Sequence, residues 1–460
     1  MATHKITKGL DLPIAGRPMQ VIRRQANATR VAVMADDFPG MKPRMRVEEG
    51  ETVKRGQVLF ENRKNPGVLH TAPGAGRIIG IHRGARRVLQ SVVIDLSDGE
   101  RAGDPPPGEL TSFASYTGAH ADSLTRDAVR DLLVESGMWV ALRTRPFSKS
   151  PPVDSEPAAL FVTAIDSAPL APLPEVVLAD RLADFERGLH VLAKLTAGTT
   201  YVCVGEHSDL PEKVSAPVRF ESFAGPHPVG TPGLHIHLLE PVHRGKTVWH
   251  VGYQDVAAIG KLFATGVLDV ERVVSVAGPP VRDPSLARTR MGASTEDVTE
   301  GEIADDREVR LIAGDVLSGK KASGDAFGYL GRFDRQISVV AEDRERRLLG
   351  WMRPGTDRFS VLRLFASKFM PARDFDLTTS LHGALRPMVP VGTYEQVMPM
   401  DILPTFLLRS MMVGDIEKAE ALGALELDEE DVALCTFVCH SKIVYGPVLR
   451  RSLEQIESEG

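Results

Sequence analysis

The sequence predicts a mixed α/β chain of several domains, and three observations support this. Its 460 residues are too many for one hydrophobic core, because single cores stop growing near about 250–300 residues. Short Val- and Gly-rich pieces fill the first hundred residues and are typical of strands separated by turns. Helical and strand-like segments alternate after that, and the tail has helical spacing. We therefore expect a β domain, an α/β domain, a small β-rich module and a helical tail, in that order.

Residues 1–102 are predicted to form the β domain. The stretch VEEGETVKRGQVLFENRKNPGVLHTAPGAGRIIGI resembles a barrel-sandwich domain of the biotinyl/lipoyl type. Such domains can carry a lysine at a hairpin tip, and spacing from Ala72 places that tip near Lys64 and Asn65. Asn65 lies closest to the usual lysine position, and neither Asp-Lys-Ala nor Met-Lys-Met surrounds it. A surface turn is the simpler interpretation, and a lipoyl or biotin carrier is the alternative.

Residues 103–255 are predicted to form a Rossmann-like α/β domain without a flavin loop. Its first helix has Ser123 or Thr125 as N-cap and Gly137 beyond its end. The apolar run AALFVTAI (158–165) is typical of a buried parallel strand. A dinucleotide site needs G-x-G-x-x-G between a strand and a helix. The nearest string, GAGRIIG, has the wrong spacing and lies in the β domain.

Residues 256–330 are predicted to form a β-grasp module. A strand in DVERVVSVA, a Gly-Pro turn and a GAS turn before a short polar helix resemble modules that bind soluble ligands. Residues 331–460 are predicted to hold a linker and a helical domain. Apolar residues there follow helical spacing, interrupted by Pro404, Gly414 and Gly423.

Charge and cysteine content exclude some classes of protein. The formal net charge of −6 gives no support to nucleic-acid binding, which favours a clustered basic patch. Three cysteines do not make a disulfide framework. The sequence has neither an apolar run of about 18 residues nor the apolar core of a secretory signal, so we expect no membrane span and no secretion.

Two groups of residues raise the question of a metal. The histidines from His227 to His250 include His235 and His237, which we predict to share one face of a strand, without a third ligand at zinc-like spacing. Cys435 and Cys439 supply two thiolates, whereas an iron–sulfur cluster needs four ligands. We therefore predict no metal, and two reduced cysteines packed in a helical core.

Longer strings carry the clearest family signal. They are KGLDLPIAG, NPGVLHTAPGAG, RGARRVLQSVVI, GMWVALRTRPFSK, YQDVAAIGKLFATG, YEQVMPMDILPT and LGALELDEEDVALCTFVC. From end to end they resemble the A subunits of sodium-translocating NADH:quinone oxidoreductases. The family usually continues after Cys439 with Pro-Gly-Lys-Tyr-Glu-Tyr-Gly, and this chain has His440-Ser441-Lys442-Ile443-Val444-Tyr445-Gly446 instead.

The resemblance implies a peripheral subunit on the cytoplasmic face of the bacterial inner membrane. Its partners would be the membrane subunits of the same complex, which couples quinone reduction to sodium export. It implies no activity alone and no tightly bound redox cofactor, because NAD and flavin are used by other subunits. Relatives with a flavin and iron–sulfur clusters share the architecture, but Met398 stands where a cluster ligand would be. The alternatives are the lipoyl or biotin carrier and a flavin/iron–sulfur NADH-oxidising subunit.

A quinone site is expected in the stretch GMWVALRTRPFSK, which we predict to be a surface loop at the position of the relatives' flavin loop. Met138, Trp139 and Phe147 offer apolar surface, and Arg143 and Arg145 could donate to a quinone carbonyl. The alternative is that these residues fill the old flavin pocket or pack on a partner subunit.

Overall fold

The computed structural model describes residues 2–211, 214–304, 307–344, 352–362 and 364–459. These residues form two six-stranded sheets, one four-stranded sheet and one three-stranded sheet, with helices between and after them. The predicted mixed α/β class is therefore confirmed. None of the helices in these ranges is both long enough and apolar enough to cross a membrane.

The first hundred residues contribute nine short strands. They are β1 (Thr3–Lys5), β2 (Met19–Gln25), β3 (Arg30–Met34), β4 (Pro43–Met45), β5 (Thr52–Val53), β6 (Val58–Asn62), β7 (Leu69–Thr71), β8 (Gly76–Arg83) and β9 (Leu89–Leu96). β3, β9, β8 and β5 form one antiparallel sheet, and β4, β6 and β7 form another. Side chains of both sheets, such as Val31, Phe60 and Ile94, share one buried core.

The next unit is an α/β sandwich. Its elements are α1 (Asp98–Ala102), α2 (Arg126–Glu135), β10 (Arg143–Arg145), β11 (Ala159–Ala164), α3 (Pro174–Val177), α4 (Leu182–Leu192), β12 (Thr199–Gly205), β13 (Arg219–Ala224), α5 (Pro232–Leu239), β14 (Val248–Gly252) and α6 (Tyr253–Thr265). The sheet order is β1, β13, β12, β11, β14, β10, parallel except at β10. Helices α2, α4 and α6 cover one face and α5 covers the other. Since both faces are covered, β11 is buried throughout, as predicted. The narrower Rossmann-like assignment stays a prediction.

A second six-stranded sheet follows. Its elements are β15 (Glu271–Ala277), β16 (Ser285–Arg290), α7 (Thr295–Thr299), β17 (Val309–Ala313), β18 (Lys320–Lys321), α8 (Gly324–Phe327) and β19 (Gln336–Ala341). The strands lie in the order β18, β17, β19, β15, β16, β2. The predicted polar helix is α7, and the Ser294 hydroxyl caps it by accepting a hydrogen bond from the Asp297 amide. The β-grasp assignment stays a prediction.

The beginning of the chain joins these units to each other. β1 pairs in parallel with β13, and β2 pairs in parallel with β16. The strands before Arg30 therefore each add one strand to a later sheet. The boundaries of all the predicted domains, 1–102 included, stay predictions.

The α-helices of the tail begin at Tyr394. Its helices are α9 (Tyr394–Val397), α10 (Pro404–Val413), α11 (Ile416–Ala421), α12 (Ala433–Val438) and α13 (Gly446–Glu459). Between 364 and 393 the described chain has no α-helix and one 3-10 helix, Ala366–Phe369. Pro371, Pro387 and Pro390 lack the amide hydrogen that a helix interior needs, which explains the late start.

Local sequence signals mostly hold, with one clear error. Thr125 caps α2 by accepting from the Ala128 amide at 3.2 Å, and Gly137 follows with a φ of 75°. His235 and His237, however, lie on helix α5 and not on a strand. The segment GLHIHLL is apolar at nearly every position, so neither the strand period nor the helix period stands out. Pro232 in the first helical turn was the better signal.

Two glycines allow α4 and α6 to pack closely. A Cβ on Gly260 would lie 1.8 Å from the backbone oxygen of Asp184, and a Cβ on Gly188 would lie 2.0 Å from that of Val256. Neither glycine needs an unusual φ, so the requirement is space and not backbone freedom. These helices cover the same face of the α/β sheet, and their close contact sets the spacing between them within that layer.

We expect Gly260→Ala to lower the free energy of unfolding by about 1–3 kcal/mol, because overpacking outweighs the better helix propensity of alanine. Thermal unfolding followed by circular dichroism measures this. Gly108→Ala is the control, since Gly108 is exposed and a Cβ there meets no atom within 4 Å. Equal melting temperatures for the two variants would show that the helices can separate without cost.

Candidate functional site

The predicted quinone loop is not on the surface. Met138–Ala141 form a 3-10 helix, and Met138 and Trp139 are each 1% exposed. The Trp139 indole nitrogen donates to the Pro151 carbonyl at 2.9 Å, and its ring meets Trp249 edge to face with centroids 5.4 Å apart. The expectation of a surface loop is therefore wrong. The run of apolar residues buries itself against the sheet, since exposing it would lose the free energy of burial.

The two predicted arginines lie on the edge strand β10 and hold the tail. Arg145 is fully buried, with Nη2 3.2 Å from Glu430 Oε1 and Nη1 3.3 Å from Asp431 Oδ2. Arg143 donates to Asp428 Oδ2 at 2.9 Å. We call Arg143, Arg145, Asp428, Glu430 and Asp431 the tail clamp. Both guanidinium groups form ion pairs that join the α/β sheet to the tail.

Two carboxyl groups of the tail clamp have pKa values shifted in opposite directions. Burial opposes ionisation of Asp428, but Arg145 and Arg143 outweigh it and hold the pKa of that carboxyl well below its usual range. Burial, reinforced by the neighbouring Asp431, raises the pKa of Glu430 to about 7. Phe147, the fifth predicted residue, has a φ of 74°, and its carbonyl accepts from Arg450 at 2.8 Å. Phe147 is therefore part of the same attachment of the tail.

A mainly apolar cavity lies where three units meet, and we call it the junction cavity; its empty space is about 470 Å³ when the part open to solvent is included. Its walls come from the β domain, from the 3-10 helix after α2 and from the second six-stranded sheet. Arg332 also borders it. The apolar and aromatic lining includes Met34, Phe38, His70, Met138, Leu268 and Met291.

His70 is the unusual group of the junction cavity. It is 2% exposed, and neither ring nitrogen has a hydrogen-bond partner among the described residues. Phe60 stacks on the imidazole at 4.5 Å between centroids, and Phe38 meets it edge-on at 4.4 Å. Burial, with a smaller contribution from Arg332, lowers the pKa of His70 to about 3. The ring is therefore neutral at physiological pH, with one donor and one acceptor nitrogen to offer a ligand.

A second, more polar cavity of about 650 Å³ lies at the carboxyl ends of β11 and β14, and we call it the switch crevice. From β11 the chain adds β12 and then β13 on one side of the sheet, and it then adds β14 on the other side of β11. The strand order therefore reverses between β11 and β14. Ligands of doubly wound sheets bind at such a reversal. Arg143 lines this crevice, as do Thr163 and His250, whose Oγ1 and Nε2 have no hydrogen-bond partner within the described ranges.

The cysteines of the tail are free thiols in its core, as predicted. Cys435 is 1% exposed and Cys439 is 0% exposed. The Tyr394 hydroxyl donates to Cys439 Sγ at 3.2 Å and lies 2.9 Å from the Tyr445 hydroxyl. Burial disfavours the Cys439 thiolate, but hydrogen bonds from both tyrosines more than offset this and lower its pKa. Met398, where relatives would have a ligand, is buried in the same core.

The histidines that suggested a metal are bonded individually. His235 Nε2 lies 2.9 Å from the Val229 carbonyl, and His237 Nδ1 lies 2.8 Å from Glu426. His227 bonds the Ser167 hydroxyl at 3.0 Å. Across the residues with assigned positions, no three His, Cys, Asp or Glu side chains are grouped as metal ligands would be.

Sequence reasoning missed His70 and Arg332, although a signal existed for the histidine. Val68, His70 and Ala72 alternate along β7 and its flanks, and the two apolar neighbours are fully buried. Side chains two apart in a strand share one face, so His70 had to point inward. Arg332 reaches the junction cavity from a turn far along the chain, and no local pattern marks it.

We expect His70 to make the protein less stable in acid. Below pH 6.5 the unfolded chain binds a proton that the folded His70, with its pKa of about 3, does not bind. The free energy of unfolding therefore decreases as the pH falls below 6.5, by up to about 1.4 kcal/mol per pH unit. In thermal melts from pH 6.5 to 4, His70→Phe should show a smaller fall in melting temperature than the parent. Parallel pH profiles would contradict the assignment of a neutral buried ring.

Three family models match the chain. They are described as the NqrA N-terminal barrel-sandwich hybrid domain over residues 4–97, the NqrA second alpha/beta domain over residues 124–268 and the NQRA C-terminal domain over residues 273–324. The predicted barrel-sandwich domain and the α/β character of the second domain are thereby confirmed.

Full-length relatives agree with these matches. The chain is 53% identical over 456 residues to the A subunit of the Na(+)-translocating NADH-quinone reductase of Serratia proteamaculans (strain 568), covering 99% of this chain and 100% of the relative. Identity to the protein of the same name from Marinomonas sp. (strain MWYL1) is 51%, and to that from Neisseria gonorrhoeae (strain ATCC 700825 / FA 1090) it is 50%, with the same coverage. The chain therefore belongs to the NqrA family, the A subunits of the Na(+)-translocating NADH-quinone reductase, which is an oxidoreductase complex of several subunits.

Proposed function

We propose that this chain is the quinone-binding peripheral subunit of its complex. It docks on the membrane subunits from the cytoplasmic face and holds the quinone headgroup in the junction cavity while the complex couples quinone reduction to sodium export. The observation that carries the proposal is His70, a buried neutral imidazole in an apolar cavity with both nitrogens unpaired among the described residues.

The chemistry of the junction cavity suits a quinone. A quinone ring is planar and largely apolar, and its carbonyl oxygens accept hydrogen bonds. Met138 and Phe38 supply apolar contact, and a neutral His70 N–H supplies a donor.

The five residues predicted from sequence take unequal parts in this proposal. Met138 lines the junction cavity and would touch the ring directly. Trp139 fixes the 3-10 helix that carries Met138, through its hydrogen bond to Pro151. Arg143, Arg145 and Phe147 attach the tail and do not line the junction cavity.

We infer that electrons reach the quinone from cofactors in other subunits. The position of a flavin loop is filled by the buried Met138–Ala141 helix. Cys435 and Cys439 lie in an apolar core, and burial raises the pKa of Cys435 to about 12, which disfavours the thiolate that a cluster needs. The work of this chain would then be to bind the headgroup, orient it and exclude water.

We expect His70→Phe to weaken binding of a short-chain ubiquinone to the isolated protein about tenfold, since a buried hydrogen bond is lost while the stacked ring is kept. Met138→Trp should abolish binding by filling the cavity. Isothermal titration calorimetry measures both. His243→Phe is the matched control, because His243 is exposed and lies outside the cavity lining. Unchanged affinity in folded His70→Phe and Met138→Trp proteins would remove the junction cavity from consideration.

We also expect the purified chain to be colourless and unmodified. An active flavin/iron–sulfur subunit would absorb visible light in proportion to protein, and a lipoyl or biotin carrier would exceed the mass of the bare chain. A visible spectrum and an intact mass therefore separate all three functions. A stoichiometric amount of flavin or iron in the purified chain would contradict the proposal that other subunits carry the redox cofactors.

A further inference from the structure

Many of the exposed large apolar side chains belong to one segment of the chain, residues 352–391. Phe369 is 83% exposed, Leu385 74% and Leu364 68%, although each would gain from burial. They belong to the segment that leads to the tail helices and that has one 3-10 helix, Ala366–Phe369. Exposed apolar groups of this size along one segment indicate a surface that is covered in the working protein.

The same segment is basic, although the whole chain carries a net charge of −6. Residues 352–391 contain six Lys or Arg and three Asp or Glu. Two of the acids are neutralised from elsewhere, Asp374 by Arg17 and Asp376 by Arg307, each at 3.2 Å. Lys368 is exposed and takes part in no ion pair within the described parts of the chain. The segment therefore presents positive charge beside its apolar groups.

The sharpest feature is the turn KFMPAR, residues 368–373, which we call the anchor loop. Phe369 and Met370 project at its tip, between Lys368 and Arg373. Hydrogen bonds hold the two residues just before the loop. The Ala366 amide donates to the Pro354 carbonyl at 2.8 Å, and the Ser367 hydroxyl donates to the Arg358 carbonyl at 2.5 Å. The exposed position of Phe369 is thus held by the backbone of the segment.

The segment is also attached to the body of the protein. Ile14 forms a bridge with Phe375, and the Arg386 amide donates to the Ser441 carbonyl at 3.0 Å. The Ser441 hydroxyl donates to the Pro387 carbonyl at 2.7 Å. The segment that carries the anchor loop is therefore not a free linker, because hydrogen bonds attach it to the tail.

We propose that the anchor loop inserts Phe369 and Met370 into the headgroup region of an anionic lipid bilayer. The apolar side chains would reach the acyl boundary, while Lys368 and Arg373 extend to lipid phosphates. A pair of adjacent apolar side chains flanked by two cations suits this layered surface better than a protein interface, whose core is depleted of charge. The inference rests on the proposed function, because it requires the chain to lie beside a membrane, and it adds a direct lipid contact to docking on partner subunits.

Co-sedimentation of the full chain with vesicles tests the proposal. Vesicles of phosphatidylcholine with phosphatidylglycerol should bind the chain, and vesicles of phosphatidylcholine alone should bind it much more weakly, with high salt reducing the difference. Phe369→Ser with Met370→Ser should weaken binding about tenfold. Lys368→Glu with Arg373→Glu should weaken it at least about 25-fold, since each cation near an anionic surface contributes about fivefold.

Phe327→Ser is the control, because Phe327 is 40% exposed on helix α8 outside the segment, and it should leave vesicle binding unchanged. Absent binding, or equal binding by the loop variants, would overturn the lipid contact. The same variants should still co-purify with the membrane subunits in detergent. Loss of co-purification by the loop variants alone would mean that the loop faces protein and would also overturn it. Failure of the unaltered chain to co-purify would instead count against the proposed function.

Discussion

The buried tail clamp is the interaction on which the rest of the arrangement depends. Arg145 has no exposed surface, so its charge is tolerated because carboxyl oxygens of Asp428, Glu430 and Asp431 lie within 3.6 Å. Removing one partner of such a pair leaves a buried charge uncompensated, which typically costs about 3–5 kcal/mol. The clamp therefore does more to specify where the tail sits than to add net stability. An apolar contact would hold the tail too, but with less directional control.

The switch crevice borders this clamp and takes part of its wall from it. Arg143 belongs to the clamp and also lines the switch crevice, and Glu430 closes the same crevice from the tail. The junction cavity is built from separate units, so its shape depends on how those units meet. A rigid attachment is what a small-molecule site needs, because errors of about 1 Å in its walls already weaken binding.

Sequence reasoning succeeded where structure is local. Thr125, Gly137 and the apolar run of β11 acted as caps, stops and buried strands because short-range rules govern them. It failed where the outcome depends on distant partners. The burial of Trp139 requires the sheet behind it, and the role of Arg145 requires a tail nearly three hundred residues away. The lining of the junction cavity was beyond reach for the same reason, because residues from three units form it only after folding.

The pairing of the first strands with late ones has a consequence for synthesis. Thr3 lies opposite Ser222 in one sheet, and Met19 lies opposite Ser285 in another. On a ribosome that adds up to about 20 residues per second, β1 must wait on the order of 10 s for its partner. During that interval both early strands have an unpaired edge in an incomplete chain. The residues that are synthesised first thus complete the two large sheets. For this reason the domains cannot finish folding one after another from the amino terminus during translation.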